Sequence, residues 1–190
     1  VGTGYDEAPL ADARGLLIPT LSVGPHDHIG ISGPNGTGKS TLYRALLACV
    51  AEQQTPVRVL SISQISGRRE SDLAVAALHD MPSQQRASVL GAMAQLNADP
   101  DRVLTGVSPS PGELRKLLLC LGARDHPELI MMDEPTNHLD LHSKQALGKA
   151  LASFPGAVIV ISHDAYFLDL VATIRWKLDW SECGATLDLG

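Results

Sequence analysis

Cysteine is scarce and poorly placed: Cys49, Cys120 and Cys183 are far apart, odd in number and show no C-x-x-C spacing. That excludes a disulfide framework and a zinc site and fits a reducing cytosol. Long apolar runs are missing as well. None reaches the roughly 18 residues that span a bilayer, and the N-terminus has no charged-then-apolar leader, so a cytoplasmic chain without membrane insertion is expected. Positive charge is the third lack. With 15 Lys and Arg against 21 Asp and Glu the net charge is −6, which excludes a surface built mainly to neutralise nucleic-acid phosphates and leaves any RNA contact local. What is present is apolar residue, 44% of 190 positions. That suffices for one sizeable core, so residues 1–190 are expected to form a single domain with at most a small insertion. The chain opens on Val1 rather than Met, which predicts a fragment of a longer polypeptide.

One stretch organises the rest. Gly33, Pro34, Asn35, Gly36, Thr37, Gly38, Lys39, Ser40 and Thr41 fit G-x-x-x-x-G-K-[ST], the phosphate-binding P-loop. Its glycines let backbone N–H groups turn inward and the following helix presents its positive end. Lys39 can reach the β/γ-phosphates and Ser40 can ligate Mg²⁺. Ile29 to Ile31 reads as a short buried strand before the loop, and Leu42, Leu46, Leu47 and Val50 give an apolar helix face after it.

Before this stretch, Leu16 to Ile18 and Leu21 to Val23 read as strand pieces interrupted by Pro19. His26 and His28 flank Asp27, and His138 and His142 flank Asp140; solvated turns and helix ends account for both sets better than metal sites do. Beyond the loop, Val57 to Ser63 alternates as a strand and delivers Gln64 at its carboxyl end, where ligands of open α/β sheets lie. From about 66 to 109 the pattern changes to short helices, Leu73 to Leu78 and Ala87 to Leu96, closed by Asp99 and Pro100, which predicts an inserted helical subdomain. Ser110, Pro111, Gly112 and Glu113 form a capping box opening an apolar helix, Leu114 to Leu121.

Leu129 to Met132 suits a strand buried on both faces and ends in Asp133 and Glu134. Alone, the acid pair suits a helix cap before Thr136 equally well. Beside a P-loop, Asp133 suits a Mg²⁺ carboxylate and Glu134 a base for the water that attacks the γ-phosphate. Ala157 to Ile161 is another buried strand, and it leads to His163. Helices over Leu141 to Phe154 and Ala165 to Thr173, with a last strand near the edge over Ile174 to Leu178, complete an α/β fold. The expected architecture is a mostly parallel P-loop NTPase-type sheet with helices on both faces.

In this order the motifs resemble the nucleotide-binding domain of ATP-binding-cassette proteins, from about Ile29 to Asp179. Gly33 to Thr41 corresponds to the P-loop, Gln64 to the Q-loop, and Ser110 to Glu113 to the signature. Leu129 to Glu134 corresponds to Walker B, Asn137 to Asp140 to the D-loop, and His163 to the switch histidine. Asp133 to Asp140 and Ser162 to Phe167 look like the forms of the ABC-F subfamily, twin-cassette ATPases that act on ribosomes. The resemblance implies ATP and Mg²⁺ as cofactors, and a second cassette whose Ser110, Gly112 and Glu113 counterparts contact nucleotide in trans. It also implies metal contacts from Ser40, Gln64 and Asp133, and catalysis by Glu134, His163 and Gln64. Pro111 departs from the family's Leu-Ser-Gly-Gly-Glu and removes one backbone donor, which keeps an ATP-dependent clamp with little turnover as an alternative. A transporter ATPase subunit is another. No aromatic other than Tyr5 is a candidate to stack on adenine.

Overall fold

The computed structural model describes residues 19–63, 68–105, 109–181 and 184–189. In chain order the elements are β1 (His28–Ser32), α1 (Lys39–Ala51), β2 (Val59–Ile62), α2 (Arg68–Asp80), α3 (Ser83–Gln95) and α4 (Pro100–Leu104). Then follow α5 (Pro111–Gly122), β3 (Leu129–Asp133), α6 (Leu141–Ala152), β4 (Ala157–Ile161), α7 (Ala165–Val171), β5 (Ile174–Ser181) and β6 (Gly184–Leu189). The described strands form one sheet in the order β2-β3-β4-β1-β5-β6. All its pairs are parallel except β5 with β6.

Every residue of β3 and β4 is buried, because these central strands have helices over both faces and their Ile, Val, Leu and Met have no polar side to show. Pleating divides their side chains. Ile130, Met132, Val158 and Val160 enter the core shared with α2 to α7, while Leu129, Met131, Ile159 and Ile161 enter the one shared with α1, β5 and β6. Gly30 fits the same logic: a Cβ there would lie 2.8 Å from that of Ala172, so only glycine lets the end of α7 settle on β1.

Two expectations about strands are corrected. Leu21 to Val23 forms no strand; Leu21 and Val23 pack against the core instead, in a segment whose Pro19 has no ladder donor. Ile174 to Leu178 lies near the edge of the sheet but is not the last strand, since β5 runs on to Ser181 and is followed at the edge by β6. The alternation of Ala185 and Leu187, both buried, with Thr186 and Asp188 was the missed signal. Helices α2 and α3 begin earlier than their apolar spacing indicated, because their first turns are polar and carry no periodicity. Leu16 to Ile18 lies outside the described residues.

Candidate nucleotide site

The loop between β1 and α1 owes its path to glycine. Gly38, with φ 93°, ends the loop as the N-cap of α1 and offers no capping side chain. Ser110, Asp140 and Asp164, by contrast, cap α5, α6 and α7 with their side chains. The first-turn N–H groups of α1 are thus left facing outward with no side-chain acceptor at the cap, the arrangement that attracts an anion. Lys39 is buried, and its Nζ donates to the carbonyls of Gly33 at 2.8 Å and Pro34 at 2.9 Å. An ammonium has three N–H bonds, so one remains for a ligand.

Across the loop, Ser40 Oγ donates to Asp133 Oδ2 at 3.1 Å. Burial pushes the Asp133 carboxyl above the usual carboxylate range and the Glu134 charge adds to this, while Ser40, Lys39 and Arg115 offset part of it. A buried carboxylate short of positive charge beside a hydroxyl is an oxygen donor pair that fits a hard divalent cation. The Glu134 N–H donates to Ile161 O at 2.8 Å, continuing the β3–β4 pairing by one residue. There the chain turns with φ 49°. Strict pleating would point the two acids apart, but this turn ends the alternation and both line one cavity. His163 Nδ1 lies 2.7 Å from Glu134 Oε2. Its neighbour Asp164 is fixed by capping α7 and by Lys144 at 2.7 Å.

The cavity, about 450 Å³, is lined by loop residues 35, 36 and 38–41 together with Arg44, Asp133, Glu134, Asn137 and His163. The structure therefore brings together most of the sequence-derived residues. Gly33, Pro34 and Thr37 shape the loop without lining the cavity, Thr37 by donating its hydroxyl to Pro34 O at 2.9 Å. Gln64 and Tyr5 lie outside the described residues. Arg44 was missed; its Nε donates to Ser40 O at 3.1 Å, and its signal was helical spacing, four residues after Ser40 on α1.

The stretch Ser110 to Glu113 is elsewhere and is occupied locally. Glu113 Oε2 accepts from Ser110 N at 2.8 Å, Ser110 Oγ accepts from Glu113 N, and Arg102 pairs with Glu113 at 3.1 Å. Burial alone would raise the Glu113 carboxyl, but the Ser110 hydrogen bonds and the charges of Arg102 and Lys116 hold it below the usual glutamate range. A lowered folded value means stability present above the unfolded pKa and lost as pH falls through the folded one. Glu113→Gln keeps the capping geometry and removes the charge. It is expected to lower stability at pH 7 by about 0.5–1 kcal/mol. In urea titrations that gap closes once pH drops below the ordinary glutamate range.

Among the described residues no three His, Cys, Asp or Glu cluster as a metal site. His26 and His28 instead contact the carbonyls of Pro155, Phe154 and Gly156. No described helix is long and apolar enough to cross a membrane.

The family model described as ABC transporter matches residues 18–137. The chain is 30% identical over 196 residues to the energy-dependent translational throttle protein EttA of Mycobacterium tuberculosis, covering 93% of this chain and 33% of that protein. It is 29% identical over 181 residues to ABC transporter F family member 2 of Dictyostelium discoideum, covering 84% and 29%. It thus spans about a third of the length of these curated relatives. Its fold is similar to the dimeric post-hydrolysis structure of the ATP-binding cassette MJ0796 bound to ADP and Pi, with TM-score 0.64 and 17% identity over 93% of this chain and 91% of that one.

Proposed function

The chain belongs to the ABC transporter family of ATP-binding cassettes, and from that premise we propose that it binds and hydrolyses MgATP in a head-to-tail sandwich with a second cassette. The observation that carries the reading is convergence. The uncapped start of α1, Lys39, Ser40, Asp133, Glu134 and His163 meet at one cavity beyond the carboxyl ends of β1, β3 and β4, where open α/β sheets hold ligands.

The α1 amides and the free N–H of Lys39 take the phosphates. Ser40 and Asp133, together with Gln64 two residues past β2 in the sequence, would hold Mg²⁺, which would supply positive charge against the developing charge of the phosphates. Glu134 orients and deprotonates the attacking water, and His163 holds the Glu134 carboxylate in place from the side. Ser110 and Gly112 of the second cassette close the site, while Pro111 withholds one donor there. The helices between β2 and α5 are read as the inserted helical subdomain of one domain.

The partner proposed is the ribosome, as for an ABC-F-type protein acting in translation or antibiotic resistance in the cytoplasm. What supports this is the similarity to EttA and to an F-family member, together with the Asp133 to Asp140 sequence. ATP-dependent co-sedimentation with ribosomes tests it; chain left in the supernatant at every nucleotide state, with turnover intact, would favour the transporter reading. Asp133→Asn is expected to flatten the Mg²⁺ dependence of nucleotide binding, because it removes the formal charge beside the metal. Superimposable Mg²⁺ titrations of the two proteins would place the metal elsewhere.

A further inference from the structure

We propose that Arg115, on α5 just past the signature stretch, is the positioning residue that holds Glu134 over the cavity. The inference rests on the reading of Glu134 as the base. Arg115 is only 5% exposed and does not line the cavity. Its Nη1 donates to Pro135 O and to Asn137 O, both at 2.9 Å. Those carbonyls belong to the turn that carries Glu134.

The turn needs such a hold. Glu134 has φ 49° and His138 has φ 64°, left-handed conformations that non-glycine residues keep only when their surroundings impose them. Glu134 itself is tied at its N–H to Ile161 O at 2.8 Å and at its carboxylate to His163 at 2.7 Å, but past Glu134 the bonds are longer: Asn137 N to Glu134 O at 3.3 Å, Leu139 N to Thr136 O at 3.2 Å, and Thr136 Oγ1 to Ser162 Oγ at 3.2 Å. The two Arg115 bonds are shorter than these and hold the backbone on the far side of Glu134, at Pro135 and Asn137, from α5. Gly112, one turn earlier on α5, lets the helix lie against the same segment; a Cβ there would sit 2.9 Å from Leu139 Cδ2 and 3.1 Å from His138 O. Arg115 also places a buried positive charge near Asp133 and Glu134, which offsets the repulsion that would drive the two acids apart. One helix thus both presents Ser110 and Gly112 to a partner and fixes the position of this chain's own base.

Arg115→Met keeps the length and removes both donors and the charge. In hydrogen exchange the Asn137 and Leu139 amides of this variant should exchange faster while Val160 in β4 is unchanged. Its kcat should fall about 10²-fold, the scale of a small misplacement of a reacting group, with KM and ATP affinity within about twofold of the parent chain, since uniform binding is untouched. Arg115→Lys, which keeps the charge and a donor, should recover part of both effects. Parent-like exchange at Asn137 and Leu139, or a loss in KM rather than kcat, would overturn the proposal. If the Met variant fails to fold, the Lys variant decides: intermediate exchange and kcat support positioning, and parent-like values of both overturn it. Glu134→Gln run alongside separates the two readings. If Glu134→Gln retains turnover, the base assignment falls, whereas the exchange result judges the Arg115 hold without reference to catalysis.

Discussion

Lys39→Ala is expected to leave no saturable binding of a fluorescent ATP analogue from the micromolar to the millimolar range. In the proposed site Lys39 is the cation for the phosphates, and its ammonium is buried against the carbonyls of Gly33 and Pro34. A charge-assisted hydrogen bond contributes about 1.5–3 kcal/mol, and the substitution removes the one aimed at phosphate while leaving two loop carbonyls without their donor. Together these losses amount to about 3–4 kcal/mol, or a 10²- to 10³-fold weaker Kd, which takes a parent Kd of about 10 µM to the millimolar limit of the titration or beyond. The fold should survive, because Lys39 belongs to neither apolar core. Affinity equal to the parent chain with an unchanged melting curve would count against the loop as the phosphate site.

Glu134→Gln is the second large effect, with the opposite signature: nucleotide binding persists and turnover collapses. Glutamine keeps the size of the side chain and a hydrogen bond to His163, now 2.7 Å from Glu134 Oε2, but has no basicity. Loss of a general base lowers the rate about 10²- to 10⁴-fold, roughly 3–5 kcal/mol of transition-state stabilisation. Removing a carboxylate also removes repulsion toward the γ-phosphate, so the ATP-bound state should last longer. Phosphate release measured beside equilibrium ATP binding separates the two components. Retained turnover would move the base to another group, with His163 the nearest candidate in the cavity. Loss of binding together with turnover would make Glu134 a structural carboxylate at the end of β3.

Much of this site is legible in the sequence because its chemistry is local along the chain. The loop from Gly33 to Thr41 states its own backbone requirement through Gly36 and Gly38, and both have positive φ in the fold. The strands β3 and β4 announce themselves by unbroken apolar runs, since both faces are covered. The capping box at Ser110 and Glu113 forms as its spacing required. What the sequence hid is long-range or non-periodic. The grip of Arg115 on Pro135 and Asn137 joins residues 20 and 22 positions apart, and a charged residue in an apolar helix reads as a solvated face until its burial is seen. Lys116 hides in the same way, donating to Asn97 O and Ser143 Oγ, both at 2.8 Å. The turn at Glu134 could not be read either, because positive φ in a non-glycine residue leaves no mark in composition. β6 escaped notice because two inward residues, Ala185 and Leu187, make too short an alternation to stand out.

The proposed cycle has the cavity beside Lys39 and Glu134 hold MgATP between two cassettes until Glu134 ends that state by hydrolysis. Its most direct test is the molar mass of the Glu134→Gln chain by light scattering after gel filtration, with bound nucleotide quantified in each peak. With ATP and Mg²⁺ the expected result is a species of twice the chain mass carrying one ATP per chain, reverting to monomer with ADP. A monomer that binds ATP at parent affinity yet never associates at any concentration, while the parent chain releases phosphate at the same rate as the variant, would contradict it.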